Sequence, residues 1–268
     1  MVNKLFLTCI ICIIISSGCI AFLYFEKPDY DHLNIVHRFA ARCVTKSFEK
    51  TISNTPPERR TIIDYDTLML GLNFIERDFA RRIFDTDSRQ FGCNWQFNSV
   101  ERPKGLVEIF PAYVGTGTDR RQIDIQFCAK HSYEDYLRMC EQMKKDIGKC
   151  LYIEVGFRSA GIQAYLFFKY LTTISKYSLR DNSKKVAMPG YSQHNNPKNN
   201  AIDLCSENGI NGFSGNQTSA DFENLPEFKW MLANACKYNF YLAYPKNNRF
   251  GIEYEPWHWC WEKRNNNN

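Results

Sequence analysis

Four residues in the C-terminal half of the chain have the types and spacing needed for hydrolytic metal chemistry. His194, Asp203 and His258 supply two imidazoles and one carboxylate. This is a standard ligand set for catalytic zinc, because three protein ligands leave a fourth position for water. Zinc lowers the pKa of that water to about 7, and a free carboxylate beside it can take the proton. Glu255 lies three residues before His258, and the intervening Pro256 prevents a regular strand ladder, so both side chains can face one centre.

Short strands are predicted at the positions that would hold these ligands. Residues 201–205 form an apolar strand candidate around Asp203, and residues 251–261 form another around His258. Residues 151–157 and 241–244 also read as strands, whereas residues 132–148, 163–177 and 226–238 have the apolar spacing of helices. Helices and short strands follow one another without a βαβ rhythm, so the predicted fold class is α+β.

The N-terminal third has helical spacing but no candidate chemistry. Apolar side chains recur at helical intervals between residues 64 and 84, with charged residues between them. We therefore predict a helical accessory segment over residues 27–104, followed by a second domain over residues 105–264.

An apolar stretch precedes both segments. Residues 5–25 carry no charge over 21 positions, and a helix of this length would cross a hydrocarbon core of roughly 30 Å. Lys4 lies before the stretch and acidic residues follow it, which favours a cytoplasmic N-terminus. We predict that residues 1–26 anchor the protein in the inner membrane and leave the remainder periplasmic or extracytoplasmic. A cleaved signal peptide and a lipid-modified Cys19 are the alternatives.

The cysteine count points to an oxidising compartment. Of 11 cysteines, three lie in the apolar stretch, and the remaining eight are scattered without a CxxC pair among them. This pattern favours disulfides over a thiolate metal cluster. Cys205 and Cys260 each lie two residues beyond a proposed ligand, so we predict that they pair beside the metal if their strands are neighbours. Cys140 and Cys150 are a second predicted pair.

Composition excludes several classes of protein. Charged residues make up 24% of the chain and hydrophobic residues 44%. This balance excludes a disordered protein, a collagen-like fibre and a multi-span membrane protein. Lys and Arg number 34 against 29 for Asp and Glu, a net charge of +5. Such a mild excess gives no basis for a nucleic-acid partner.

Four segments of the chain resemble one known family in their order and phrasing. They read GFRSAGIQ at residues 156–163, PGYSQH at 189–194, AID at 201–203 and EPWH at 255–258. They are similar to the motifs of VanY-like D-alanyl-D-alanine carboxypeptidases, which are relatives of the zinc D,D-dipeptidases and of the Hedgehog signalling domain. The resemblance extends over about residues 105–262 and leaves residues 26–104 uncovered.

The resemblance implies a fold and a set of roles. The fold would be a small antiparallel sheet that carries the zinc site and is flanked by helices. One Zn²⁺ per chain would be held by His194, Asp203 and His258. The catalytic residues would be Glu255, as general base, and Arg158, which would stabilise the oxyanion. The substrate-contacting residues would be Ser192 and Gln163.

One departure from the family pattern lies beside the predicted site. The family usually has six residues between the first His and the Asp, including a Gly four residues before the Asp. This chain has eight, and Asn199 stands at the Gly position. Asn tolerates a positive φ, and a polar loop accepts two extra residues at small cost. The loop at residues 195–200 is therefore expected to border the site.

The predicted function is a zinc-dependent D-alanyl-D-alanine carboxypeptidase that trims the stem peptides of peptidoglycan. An L,D-carboxypeptidase or an endopeptidase of the same fold is the nearest alternative. A zinc-bearing module that only binds the cell wall or a partner is the alternative from another class, and a disulfide-stabilised wall-binding protein without metal is a third. The pairing of Glu255 with Arg158 favours an enzyme, because a binding module needs neither.

Overall fold

The computed structural model describes residues 26–264 except residues 197 and 199, and within them helices and small antiparallel sheets alternate. The helices are α1 (Ile35–Ser53), α2 (Tyr65–Leu70), α3 (Phe74–Phe84), α4 (Lys130–Ile147), α5 (Ala160–Thr173), α6 (Leu179–Ser183), α7 (Ser219–Glu223) and α8 (Pro226–Asn234). The strands are β1 (Leu106–Ile109), β2 (Ala112–Val114), β3 (Arg121–Ile123), β4 (Gln126–Ala129), β5 (Leu151–Val155), β6 (Ala201–Ser206), β7 (Phe240–Leu242) and β8 (His258–Trp261). This mixture agrees with the predicted α+β class.

A four-stranded antiparallel sheet carries two of the candidate ligands. Its strand order is β5-β6-β8-β7, and its register places Asp203 of β6 directly opposite His258 of β8. Every residue of β6 is buried, so Asp203 projects from the middle of the sheet into an environment with little water. Two smaller sheets pair β1 with β4 and β2 with β3.

Helix α4 packs on this sheet as its amphipathic sequence predicts. Met139 and Met143 of α4 are fully buried and share one hydrophobic cluster with Leu204 of β6 and Trp259 of β8. The helix ends at Gly148, whose φ of 70° needs a residue without a Cβ. The chain then enters β5 at Leu151 and reaches the sheet.

A second hydrophobic core joins the N-terminal helices to α5. Phe48 of α1, Phe79 of α3 and Phe168 of α5 are buried in one cluster, and the Phe168 ring contacts the other two at centroid distances of 6.1 and 6.2 Å. The region predicted as helical between residues 64 and 84 is two helices, because Asn73 caps α3 with its own side chain and breaks the run. The helices before residue 104 therefore support α5, which begins beside the candidate site.

Neither predicted disulfide is present, and all eight cysteines of the described residues are free thiols. In the antiparallel register, Cys260 lies opposite Ala201 and Cys205 lies opposite Tyr152. Because β6 and β8 run in opposite directions, a step of two residues beyond Asp203 and a step of two residues beyond His258 lead to opposite ends of the pair. Cys205 and Cys260 are therefore separated. Cys140 and Cys150 do contact each other, and both thiols donate to the Leu151 carbonyl oxygen, at 3.4 and 3.3 Å.

The predicted membrane anchor at residues 5–25 lies outside the described residues. Among the residues that are described, none of the helices combines the length and apolar character needed to cross a bilayer. This finding contradicts the predicted transmembrane tether and the localisation that depended on it.

Candidate active site

His194, Asp203 and His258 come together as a buried triad. Asp203 Oδ2 lies 3.2 Å from His194 Nε2, and Asp203 Oδ1 lies 2.7 Å from His258 Nδ1. One donor atom from each residue fits within 4.8 Å of the others. Strands β6 and β8 hold two members, and a 3₁₀ turn at Gln193–Asn195 brings His194 to the same point.

Each histidine has a fixed partner for its outward ring nitrogen. His194 Nδ1 lies 2.9 Å from the Gly156 carbonyl oxygen, and His258 Nε2 lies 3.0 Å from Gln193 Oε1. The ring of Tyr244 stacks on that of His258 at 4.8 Å. These acceptors favour a proton on the outward nitrogens, so the inward nitrogens are available to a metal ion.

Gly156 is required at its position because the chain passes too close to β4 for a side chain. A Cβ at Gly156 would lie 2.2 Å from the Phe127 carbonyl oxygen. This approach directs the Gly156 carbonyl at His194 and is reinforced by a bond from the Phe157 N–H to Phe127. The Gly at the start of the GFRS segment therefore helps to orient a candidate ligand.

The protonation states of the triad suit metal binding at neutral pH. Burial lowers the pKa of His194 to about 4, so its imidazole is neutral. Burial alone would raise the pKa of Asp203, but its close contacts with His194 and His258 hold that pKa well below its usual range, so its carboxylate is ionised. A neutral imidazole and an ionised carboxylate are the forms that coordinate metals, and together with the inward nitrogens they fit a zinc ion.

Glu255 reaches the edge of the triad without joining it. Its Oε2 lies 3.9 Å from His258 Nδ1, and its side chain is 18% exposed. A turn positions it: the His258 N–H donates to the Glu255 carbonyl oxygen, and the Glu255 N–H donates to Tyr244. Burial and the neighbouring Asp203 charge raise the pKa of Glu255 well above its ordinary value, and Arg158 opposes them. Glu255 is thus a carboxyl group suited to holding a proton.

Arg158 lies beside Asp203 and is held in place. Its Nη1 donates to Gln163 Oε1 at 3.2 Å, and its Nη2 lies 3.6 Å from Asp203 Oδ2. Gln163 in turn donates to the Ala187 carbonyl oxygen at 2.7 Å. The side chain of Ser159 caps α5 immediately after Arg158, so the guanidinium is fixed at the start of a helix.

The residues predicted from the sequence line one cleft of about 330 Å³. Ser192 lines it and also caps the 3₁₀ turn by accepting a bond from the His194 N–H at 3.3 Å. The other predicted residues in its wall are Arg158, Gln163, His194, Asp203, Glu255 and His258. Aromatic side chains complete the wall: Tyr170, Phe213, Tyr244, Tyr254 and Trp257. The structure therefore brings all seven predicted site residues to one place.

Gln193 and Tyr244 are the contacts to His258 that the sequence did not reveal. Gln193 acts across the fold, since it lies 65 residues from His258 in the chain. A signal for Gln193 was available, because it is a polar residue next to His194 and His258 needs an acceptor for its outward N–H. No local pattern marks Tyr244.

The longer loop between His194 and Asp203 is anchored at its last residue, Asn200. Asn200 Nδ2 donates to the His194 carbonyl oxygen at 3.2 Å, and its Oδ1 accepts from the Cys128 thiol at 2.9 Å. The bond to His194 joins the residue before the loop to the last residue of the loop. Asn199, predicted at the family's Gly position, lies outside the described residues.

Comparison with curated proteins gives two relatives that each match part of the chain. The chain is 32% identical to YodJ of Bacillus subtilis (strain 168) over 139 residues, which are 51% of this chain and 47% of that protein. It is 40% identical to a D-alanyl-D-alanine carboxypeptidase of Enterococcus faecium over 77 residues, 28% of this chain and 21% of that protein. The chain thus matches less than half the length of either relative.

Two solved structures are similar to part of the chain. The LD-carboxypeptidase LdcB has a TM-score of 0.48 at 29% identity, with 63% of this chain and 74% of that chain covered. A vancomycin-resistance D,D-pentapeptidase VanY mutant in complex with Zn(II) has a TM-score of 0.38 at 19% identity, with 62% and 85% covered.

The sequence model of a single family covers the region that builds the cleft. It is described as VanY, D-alanyl-D-alanine carboxypeptidase, and it matches residues 126–264, more than half of the chain. That region contains the buried triad, Glu255 and Arg158, in agreement with the resemblance of the four motifs. The chain therefore belongs to the VanY D-alanyl-D-alanine carboxypeptidase family.

Proposed function

We propose that this protein is a zinc-dependent D-alanyl-D-alanine carboxypeptidase that trims peptidoglycan stem peptides. The observation that carries the proposal is the buried His194–Asp203–His258 triad with Glu255 at its edge, 3.9 Å from His258, in an open cleft. A structural ion-pair cluster would not need a second carboxyl group at its edge that also faces a cleft.

His194 Nε2, an Asp203 oxygen and His258 Nδ1 would hold the metal ion. Two imidazoles and a carboxylate leave one coordination position for water or substrate. When bound, zinc would lower the pKa of a coordinated water to about 7 and polarise the scissile carbonyl. The contacts of His194 with the Gly156 carbonyl and of His258 with the Gln193 amide oxygen support this ligand set. Metal-binding histidines commonly donate their other N–H to such an oxygen.

Glu255 would transfer the proton of the attacking water. Its side chain is partly exposed to the cleft, so the water and the substrate can both reach it. Glu255 accepts the proton as water attacks the terminal peptide carbonyl, and then gives it to the leaving amine of the departing D-alanine. The raised pKa of Glu255 suits a group that must keep a proton between these two steps.

Arg158 would stabilise the charge that develops on the carbonyl oxygen. Gln163 fixes its guanidinium at the wall of the cleft, so little reorganisation is needed during the reaction. Ser192 and Gln163 remain candidates for substrate contact, although both already make structural hydrogen bonds.

The test is release of D-alanine from a stem pentapeptide that ends in D-Ala-D-Ala, with the full chain loaded with zinc. Wild type is compared with Glu255→Gln and with Glu141→Gln, a control of the same kind at an exposed position of α4 whose carboxylate pairs with Lys145. Glu255→Gln should reduce kcat by about 10²–10⁴-fold, and Glu141→Gln should retain activity. Zinc content should stay at one per chain in all three proteins.

The same assay separates the alternatives. Release of D-alanine only from a tetrapeptide would identify an L,D-carboxypeptidase, and cleavage only within cross-linked stems would identify an endopeptidase. If all three proteins bind zinc and none cuts any of these peptides, the chain is a binding module and the proposal is wrong.

A further inference from the structure

The turn that carries His194 is held by residues outside the region that the family model matches. That region begins at residue 126, whereas a segment without helix or strand at residues 93–99 bonds to the turn. Asn98 donates from its backbone N–H to the Gly190 carbonyl oxygen at 2.7 Å and from its Nδ2 to the Ser192 carbonyl oxygen at 3.0 Å. We propose that Asn98 is a positioning residue for the metal site and acts by fixing the turn that presents His194.

The turn has little stability of its own. It is a 3₁₀ turn of three residues, Gln193–Asn195, and a helix this short does not persist in water without outside contacts. The Ser192 carbonyl oxygen that receives the Asn98 amide also accepts the N–H of Asn195 at 3.3 Å, which closes the turn. Asn98 therefore bonds to the turn at the carbonyl group that closes it.

The side chain of Asn98 contacts the chain on both sides of His194. Its Oδ1 accepts a hydrogen bond from Asn196 Nδ2 at 2.9 Å, while its Nδ2 donates to Ser192. Ser192 precedes His194 by two residues and Asn196 follows it by two, so one amide group spans the candidate ligand. An amide can do this because it donates and accepts at the same time.

Packing and a second hydrogen bond place the same segment against the turn. A Cβ at Gly190 would lie 2.6 Å from the Phe97 ring, so the backbone there lies directly against that ring. The Ser99 carbonyl oxygen accepts a hydrogen bond from Asn195 Nδ2. Residues on either side of Asn98 therefore hold the segment in a fixed register with the turn.

The consequence concerns metal binding, and in this respect the inference rests on the proposed function. Ligand atoms must be held within about 0.5 Å of their productive positions for a site to work. Asn98 belongs to none of the hydrophobic clusters of the described residues. Loss of its amide is therefore expected to release the turn and weaken the metal site more than the fold.

The test compares the full wild-type chain with Asn98→Ala and Asn98→Asp. Asn98→Ala removes both side-chain bonds, and Asn98→Asp keeps the acceptor but removes the donor to Ser192. In competition against a chelating dye, each variant should bind Zn²⁺ about tenfold more weakly, the lower end of the range for groups that orient metal ligands. The visible spectrum of bound Co²⁺, which a merely structural role would leave unchanged, should differ from that of wild type. Thermal melting establishes that each variant is folded.

Asn94→Ala is the matched control. Asn94 is exposed on the same segment, and its hydrogen bond to the Phe250 carbonyl oxygen is made by the backbone N–H and is retained in the variant. Its zinc affinity and Co²⁺ spectrum should equal those of wild type. Hydrogen exchange of the metal-free chains is a second measurement: the amides of residues 190–196 should exchange about tenfold faster in Asn98→Ala than in Asn94→Ala.

Three results would overturn the proposal: wild-type zinc affinity in folded Asn98→Ala, wild-type affinity in Asn98→Asp, or an equal loss of affinity in Asn94→Ala. A wild-type chain that binds neither Zn²⁺ nor Co²⁺ would refute the proposed zinc site instead. The hydrogen exchange of residues 190–196 would then still decide whether Asn98 holds the turn, so the two failures are distinguishable.

Discussion

Gln193 should control the zinc affinity of the site although it is not a ligand. Its Oε1 lies 3.0 Å from His258 Nε2, so it stabilises the tautomer in which Nδ1 faces the centre. Gln193→Leu preserves the approximate size of the side chain and removes the acceptor. The Nε2–H of His258 then has lost its acceptor. The tautomer with the proton on Nδ1, which cannot bind a metal through Nδ1, is no longer disfavoured.

The expected loss of zinc affinity is about 10- to 100-fold, the range for removing an outer partner of a metal-binding histidine. A tenfold loss corresponds to about 1.4 kcal/mol, close to the value of one hydrogen bond to a neutral group. The assay is competition for zinc against a chelating dye at pH 7. Gln193→Glu restores an acceptor and should recover wild-type affinity or exceed it.

The control is Gln122→Leu, a substitution of the same kind at an exposed position of β3. It should leave both zinc affinity and thermal stability unchanged. If Gln193→Leu folds normally and binds zinc as tightly as wild type, the reasoning on the tautomer of His258 is refuted.

Three further perturbations test the electrostatics and the packing. Burial alone would raise the pKa of Asp135, but hydrogen bonds from Trp261, Asn239 and Arg138 lower it overall. Its carboxylate therefore stabilises the fold above the unfolded pKa of about 4 and loses this effect as pH falls through the lower folded value. Asp135→Asn should lower the free energy of unfolding, measured in urea, by about 2 kcal/mol at pH 7 and by less below pH 4. An equal loss of stability at both pH values would contradict this prediction. Arg158→Lys should lower kcat by about 10²-fold with little change in KM, because an ammonium cannot keep both the bond to Gln163 and a donor in the cleft. An unchanged kcat in steady-state kinetics would contradict the role of Arg158 in stabilising the oxyanion. Phe168→Ala should cost about 3–5 kcal/mol in urea unfolding, since the ring is fully buried between the N-terminal helices and α5; a loss below 1 kcal/mol would show that the shared core is loosely packed.

The candidate site could be predicted from the sequence because four short segments resemble the motifs of the VanY family, and Arg158, Ser192 and Gln163 came from that resemblance alone. Asp203 lies within an apolar strand candidate, and His258 follows a proline that breaks the ladder. Such segments indicate which side chains share a strand face. The structure then places Asp203 opposite His258, a pairing that depends on register and that no single segment contains.

The errors arose where a local pattern was extended across the fold. Alternation along a strand identifies the side to which Cys205 and Cys260 point, but it does not give strand direction, and the antiparallel register separates them. Residues 251–261 were expected to be one strand, but the turn from Glu255 to His258 leaves only the last four residues in β8. That same turn presents Glu255 to the cleft.

The proposed function requires that the triad hold a metal ion on which peptide hydrolysis depends. The most direct measurement strips the full chain with a chelator and follows D-alanine release from the pentapeptide as zinc is returned in steps. Activity should rise in proportion to zinc and saturate at one equivalent, and Asp203→Asn should regain none of it. Hydrolysis that survives stripping, or full recovery in Asp203→Asn at one equivalent, would contradict the claim.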